Sequence, residues 1–209
     1  MNVELGDQRK MATINKVDFF CGAFLSYIIC NGVKEPTLFE AQETSKIVKF
    51  ALKDKDYKIY IKYTTSGKDT VKKETQTKVL KNGNRKRSQK EVVDIRYTSW
   101  SVPFSNKERD FLTDSFSEAG KENIVVLVCT NSEMNDSYFA VLKPEEALKC
   151  LGNDTVNPNR YIKLKKKRTR GSSYVSCHGT ALDESNAILI EYNIDNVFGF
   201  EKEAVLFCD

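Results

Sequence analysis

Two clusters of Lys and Arg carry the most prominent chemistry in this 209-residue chain. Residues 66–90 contain nine basic and two acidic residues, a local charge of +7. Residues 160–170 contain seven basic residues and no acidic residue, again +7, which leaves the remainder acidic with 17 basic against 27 acidic residues. Because phosphate backbones reward concentrated positive charge through counterion release, this distribution predicts contact with nucleic acid. The alternatives are two solvated loops without a partner, or an acidic protein partner.

Both basic segments supply candidate nucleic-acid-binding residues. Ile162 and Leu164 give the second segment apolar anchors, which would leave the lysines at alternate positions projecting together from one strand face. The first segment has few such anchors and would lose more conformational entropy on binding. We therefore predict that neutralising the three alternate lysines weakens duplex binding more than neutralising residues 85–87. The candidates are Lys163, Lys165, Lys166, Lys167, Arg168 and Arg170, with Arg85, Lys86 and Arg87.

Other chemical motifs are weak. The only histidine, His178, follows Cys177, and adjacent strand residues point to opposite faces, so the two are poorly placed for thiol catalysis. The six cysteines form no C-x-x-C pair, which argues against zinc, and their apolar surroundings predict buried, reduced thiols. Trp100 with Tyr97 would offer a base-stacking platform, although a core position is the ordinary role of such a Trp. No P-loop, Rossmann fingerprint or G-x-S-x-G occurs.

The hydrophobic periodicity predicts the elements of the first third of the chain. The i, i+3, i+4, i+7 spacing predicts a helix over residues 14–30. Residues 45–52 and 57–65 read as two strands of a hairpin. In the second strand, Tyr60 and Lys62 share the face opposite the isoleucines, where lysines ordinarily face solvent.

The basic stretch 66–90 has few apolar residues and predicts a long loop or a loosely held hairpin that turns at Asn82-Gly83. A strand is predicted over residues 91–104. The S-x-x-E capping box at Ser105 then starts a helix that extends to residue 119. The continuous apolar run 123–130 predicts a central strand covered on both faces.

The remaining chain predicts a β-rich end. A strand and a short helix that begins with a proline come first, and further strands follow. The predicted strands cover residues 137–142, 161–167, 173–178, 187–192 and 203–209, and the helix covers residues 144–151.

The order helix, three strands, helix, strand resembles the core of the PD-(D/E)XK nuclease superfamily, the restriction-endonuclease-like fold. Residues 60–65 (YIKYTT) resemble the E-x-K strand of that superfamily, and residues 100–105 (WSVPFS) resemble the strand-to-helix step after it. The resemblance covers roughly residues 14–143. It implies an α/β or α+β fold with a central mixed sheet flanked by helices. The expected organisation is a tail at 1–13, a core at 14–151 with a basic insertion at 66–90, and a β-rich extension at 152–209.

The resemblance also implies a catalytic site. The superfamily uses two carboxylates that hold Mg²⁺ and a lysine near the attacking water. Lys62 stands at the lysine position, whereas Tyr60 stands where the superfamily has Glu or Asp. The implied catalytic residues are Lys62 and Asp56, and the nearest carboxylates for the metal are Asp56, Glu40 and Asp18. Mg²⁺ is expected only if the site is catalytic, and a degenerate site that binds without cutting is the alternative.

Together these features predict a DNA-binding, nuclease-like protein, such as a Mg²⁺-dependent endonuclease of a restriction or phage-defence system. The alternatives are a non-enzymatic nucleic-acid-binding module and an inhibitor or interaction protein. The expected partner is nucleic acid, first of all duplex DNA, and a homodimer is left open. No apolar run approaches the roughly 20 residues that span a membrane, and residues 1–14 lack an apolar signal core, so we expect a cytoplasmic protein.

Overall fold

The fold is α+β, with two five-stranded sheets that share one core. The computed structural model describes residues 14–42, 44–82, 85–152, 159–168, 174–192 and 194–200. The predicted tail at 1–13 and the predicted strand at 203–209 lie outside these residues. The α+β class is confirmed, whereas the strands divide between two five-stranded sheets instead of one central sheet with a β-rich extension.

The first sheet is mixed, with strand order β1-β2-β3-β6-β7. Its first three strands form an antiparallel meander, β6 lies parallel to β3, and β7 is antiparallel to β6. The predicted hairpin between β2 and β3 is confirmed, and so is the interior position of β6. The strands are β1 (Lys34–Gln42), β2 (Ser45–Leu52), β3 (Lys55–Thr64), β6 (Glu122–Thr130) and β7 (Ser137–Leu142).

The second sheet is antiparallel throughout, with strand order β10-β9-β8-β5-β4. Of the two alternatives predicted for the basic stretch 66–90, the hairpin is confirmed, because most of the stretch pairs as β4 and the start of β5, in register from Lys68↔Ser99 to Asn82↔Arg85. Strand β8, from the expected C-terminal extension, pairs with β5 over Tyr97–Phe104. The strands are β4 (Lys68–Asn82), β5 (Arg85–Phe104), β8 (Arg160–Lys167), β9 (Tyr174–Gly179) and β10 (Ile188–Glu191).

The described residues also form four α-helices and one 3₁₀ turn. Helix α2 begins with the predicted capping box, in which Ser105 and Glu108 satisfy each other's backbone amides. It ends earlier than predicted because Glu118 bonds through its backbone to the Asn123 side chain instead of extending the helix. None of the described helices is long and apolar enough to span a bilayer. The helices are α1 (Lys16–Cys30), α2 (Asn106–Asp114), α3 (Pro144–Leu151) and α4 (Ile194–Phe198), with the 3₁₀ turn at Glu184–Asn186.

Two hydrophobic clusters cover the two faces of the first sheet. One face packs on α1 and α4, with Phe24, Ile61 and Val126 fully buried. The other face packs on α2, α3 and the inner face of the second sheet, where Leu127 meets Trp100 and its neighbours. Strand β6 therefore contributes alternate residues to both clusters, which explains its continuous apolar sequence.

The cysteines follow the prediction with one exception. Among the described residues, Cys21, Cys129, Cys150 and Cys177 are buried free thiols, whereas Cys30 is exposed. Cys30 is the last residue of α1 and lies on an exposed side of the helix, whereas Ile28 is fully buried.

Candidate nucleic-acid interface

The outer face of the second sheet carries a groove of about 440 Å³. The register of the strands places the polar residues that line the groove in rows across the sheet. His178 on β9 opposes Lys163 on β8, which opposes Ser101 on β5. In the next row, Lys165 opposes Ser99, which opposes Lys68 on β4. The lining residues are Ser66, Lys68, Thr70, Lys72, Ser99, Trp100, Ser101, Lys163, Leu164, Lys165, His178 and Glu184.

The alternation predicted for β8 positions the groove lysines. Ile162 and Leu164 are fully buried in the core between the sheets, so Lys163 and Lys165 lie on the opposite, outer face. Both ammonium groups lie over tyrosine rings. The Nζ atom of Lys163 is 5.2 Å from the centre of the Tyr161 ring, and that of Lys165 is 4.6 Å from Tyr97. These contacts hold the lysines in place without neutralising them.

One carboxylate already occupies part of the groove. Glu184 accepts a hydrogen bond of 2.6 Å from the Nζ atom of Lys165. Lys68 and Lys163, by contrast, form no ion pair with any residue that the structure describes. The groove therefore offers unneutralised positive charge around one paired lysine, as an anion site requires.

His178 lies on the groove surface, whereas Cys177 points into the core, as the alternation predicted. Burial lowers the pKa of His178, and the nearby charges of Lys163 and Lys165 reinforce the shift against the opposing effect of Glu184. Its buried Nδ1 atom has no hydrogen-bond partner among the described residues. Burial thus favours the neutral form of His178, whose ring lies beside the lysines of the groove.

The rest of the second basic segment serves structural contacts. Lys166 lies on the inner side, with its Nζ atom 3.5 Å from the centre of the Tyr138 ring. Lys167 pairs with Glu74 at 3.1 Å. Arg168 pairs with Asp136 at 2.6 Å and with Asp69 at 3.3 Å. These three residues already have partners within the protein, and their contact with phosphate stays a prediction; Arg170 lies outside the described residues.

For Arg85, Lys86 and Arg87, the structure describes the backbone, in β5, but not the side chains. This hairpin changes the reason given for ranking the two segments. The ranking was argued from the few apolar anchors of residues 66–90, which would leave more entropy to lose on binding, whereas most of their backbone is already paired. The ranking itself stays a prediction.

Lys62 occupies a second, closed polar cluster between the first sheet and α2. Its ammonium group bonds to the Glu108 carboxylate and, at 2.7 Å, to the Thr44 hydroxyl. The side chains of Lys62 and Glu108 are only 4% and 5% exposed. Tyr60 and Ser105 also donate to Glu108, at 3.1 Å and 2.8 Å. The expectation that the lysine faces solvent is wrong, because α2 and the second sheet cover this face.

The carboxylates predicted as metal ligands do not converge on Lys62. Asp18 pairs with Lys46 at 3.2 Å on the α1 side of the sheet, whereas Lys62 lies on the other side. Asp56 is exposed at the opposite end of β3, and six residues of strand separate it from Lys62 by about 20 Å. The backbone of Glu40 lies on edge strand β1, but its side chain lies outside the described residues.

The described residues do not fit a Mg²⁺ site. No group of three or more His, Cys, Asp and Glu side chains among them could hold a metal ion. Among the described residues, Glu108 is the one carboxylate that bonds to Lys62, and it also accepts hydrogen bonds from Thr44, Tyr60 and Ser105. The S-x-x-E spacing predicted that Glu108 caps α2. Nothing in that spacing indicated the contact of Glu108 with Lys62.

Comparisons of this chain with protein-family models, with curated proteins and with solved structures found no match. The assignment of function therefore depends on the geometry of the groove and of the Lys62 cluster.

Proposed function

We propose that this protein binds nucleic acid through the groove on the outer face of the second sheet and does not hydrolyse it. One observation carries the proposal: lysines from β4 and β8 and a histidine from β9, drawn from positions between 68 and 178 of the sequence, line one concave surface. Lysines supply the sequence-independent phosphate contacts that dominate nucleic-acid affinity. The serine and threonine hydroxyls between them offer further hydrogen bonds to phosphate oxygens.

The absence of hydrolysis is proposed from the Lys62 cluster. A lysine that assists metal-dependent hydrolysis must lie beside carboxylates that are free to bind the metal. Glu108 instead neutralises Lys62 in a closed cluster, and Asp56 lies about 20 Å away along β3. We therefore expect no Mg²⁺ cofactor.

We further propose that the first sheet is a degenerate restriction-endonuclease-like core. The order of α1, the antiparallel strands β1–β3, α2 and the parallel strand β6 supports this relationship. The third strand of the core differs from the sequence prediction. Residues 91–104 pair in the second sheet, and β1, which sequence reasoning missed, completes the meander.

A binding experiment with matched variants tests the proposal. The triple variant Lys68→Ala/Lys163→Ala/Lys165→Ala removes three groove charges. The control Lys16→Ala/Lys34→Ala/Lys107→Ala removes three exposed lysines elsewhere, so the change in net charge is equal. Fluorescence anisotropy with a short labelled DNA, at several salt concentrations, should show weaker binding by the groove variant. The slope of log affinity against log salt should fall by up to about 3, at roughly 0.9 per lost phosphate contact.

Two further outcomes decide the details. Glu184→Gln should tighten binding, because it frees Lys165 for phosphate. No cleavage should occur in Mg²⁺ or Mn²⁺, and cleavage that Lys62→Ala abolishes would overturn the non-catalytic assignment. The assignment of binding to this groove would be overturned if the groove variant and the control lost equal affinity for DNA. It would also be overturned if the wild type bound no DNA even at low salt. In the latter case, binding of an acidic protein would become the leading explanation for the basic surface.

A further inference from the structure

The hairpin of β4 and β5 extends far beyond the sheet to which it belongs. Strand β5 pairs with β8 from Tyr97 onward, and the Arg168 amide also donates to the Arg96 carbonyl. Among the strands that the structure describes, residues 85–95 pair with β4 alone. We call this two-stranded part, residues 71–82 with 85–96, the ribbon arm. At about 3.4 Å per residue, its eleven steps span roughly 37 Å.

Most of the ribbon-arm side chains that the structure describes are at least partly exposed, and Ile95, next to the body, is the buried one among them. Val71 and Val92 are 60% and 63% exposed. Lys73 and Asp94, directly opposed in register, are exposed as well. An isolated two-stranded ribbon is at best marginally stable in water, and a strand of 20 residues greatly exceeds the usual length of about 5–6. Stability of the fold therefore gives no reason for its length.

Charge along the ribbon arm is strongly polarised. The distal stretch 77–90 contains six basic residues and no acidic residue. The proximal stretches 71–76 and 91–96 contain three of each sign and are neutral overall. In the register of β4 and β5 these six positions lie in the half of the arm farther from the body, so positive charge there can meet a polyanion that the body also contacts.

We infer that the ribbon arm inserts into the major groove of duplex DNA while the groove lysines hold the phosphate backbone. This inference rests on the proposed function and narrows its substrate to duplex DNA. The major groove of B-form DNA, about 12 Å wide and 8.5 Å deep, admits a two-stranded β-ribbon. The reach of the arm is close to one helical turn, about 34–36 Å, so both contacts can form on one duplex.

The regular pairing of the ribbon arm supports insertion of a preformed element. The register between β4 and β5 runs without a shift from Lys68↔Ser99 to Asn82↔Arg85. A paired ribbon has already lost much of the backbone entropy that a loop would lose on binding.

A shortened arm tests the inference. Replacing residues 77–90 by Asn-Gly joins Gln76 to Glu91, which oppose each other in register, through a two-residue hairpin turn. A full-length companion variant changes all six distal basic residues to Gln. It distinguishes a loss of DNA contacts from a folding defect of the shortened chain. Affinities are measured for duplex DNA, duplex RNA of the same sequence, and single-stranded DNA.

Both arm variants should lose at least about tenfold in affinity for duplex DNA, and the salt slope should fall by about 5 for six lost contacts. Duplex RNA has a deep, narrow major groove, so the wild-type preference for duplex DNA over duplex RNA should disappear in both variants. Dimethyl sulfate probing should show protection of guanine N7, which lies in the major groove, by the wild type only.

The possible failures are distinguishable. If the arm variants bind duplex DNA like the wild type while the groove triple variant does not, the ribbon inference is overturned and the proposed function stands. Protection of adenine N3 in the minor groove without protection of guanine N7 would also overturn the inference, as would equal losses on all three nucleic acids. If the wild type binds none of the three nucleic acids at low salt, the proposed function itself is overturned.

Discussion

Lys62 and Glu108 show how burial and hydrogen bonding decide the role of a charged residue. Burial opposes ionisation of Glu108, but the attraction and hydrogen bonds of Lys62, with those of Ser105 and Tyr60, hold its pKa below the usual value. Burial lowers the pKa of Lys62, and Glu108 opposes that shift. Each charge depends on the other, because an unpaired charge at this depth would cost several kcal/mol.

At the residue scale, we predict that Lys62→Met destabilises the protein by about 3–5 kcal/mol, because it leaves the Glu108 carboxylate buried without its partner. The double variant Lys62→Met/Glu108→Gln should recover much of this loss, since a glutamine oxygen still accepts from Ser105 and Tyr60. Urea unfolding at pH 7 measures both. Lys107→Met, an exposed lysine of α2, is the matched control. If Lys62→Met were as stable as Lys107→Met, the prediction would be contradicted.

The same pair predicts an acid dependence. A carboxyl whose pKa is depressed on folding stabilises the protein above its unfolded pKa of about 4.3, and this contribution is lost as pH falls through the folded pKa. Wild-type stability should therefore decline more steeply below about pH 4 than that of the double variant, which lacks the carboxyl. Parallel pH profiles would show that Glu108 does not contribute to acid unfolding.

Helix α1 is the element that closes the outer face of the first sheet. Its buried side chains follow the predicted periodicity, and Phe24 packs edge-to-face against Phe139 on β7. Phe19 lies on the other side of the same helix and is 54% exposed. The two phenylalanines therefore provide a comparison of core and surface within one element.

At the element scale, Phe24→Ala should cost on the order of 3–5 kcal/mol, because it removes a fully buried ring and leaves a cavity between α1 and the sheet. Phe19→Ala changes the same residue type in the same helix and should cost much less. Chemical denaturation of both variants checks the difference. Equal losses would show that α1 does not dock as the structure describes.

The two sheets of the whole molecule depend on one shared core. Trp100 on β5, Leu127 on β6 and Ile162 on β8 belong to a single buried cluster, although they come from distant parts of the chain. Removing the C-terminal strands would expose the inner face of β5 and uncover part of the first sheet. The two sheets should therefore unfold together.

At the scale of the whole molecule, we predict one cooperative unfolding transition. Trp100, the only tryptophan, reports on the interface between the sheets, whereas far-ultraviolet circular dichroism reports on the whole chain. The midpoints from the two signals should coincide in a urea titration. Separate midpoints would indicate that residues 152–209 behave as an independent extension, as the sequence suggested.

The sequence alone determined the elements whose periodicity is local. Residues of α1, the hairpin β2–β3, the buried strand β6 and the capping box of α2 carry their own signals in apolar spacing and cap chemistry. Strand β1 was missed because it contains Pro36 and two register irregularities, which interrupt the alternation of an ordinary strand. Only the tertiary structure decided that β5 pairs with β8, that Glu108 meets Lys62, and that lysines 68 and 163 border one groove. These contacts join residues far apart in sequence, and local periodicity fixes which face of a strand is buried but not which strand lies beside it.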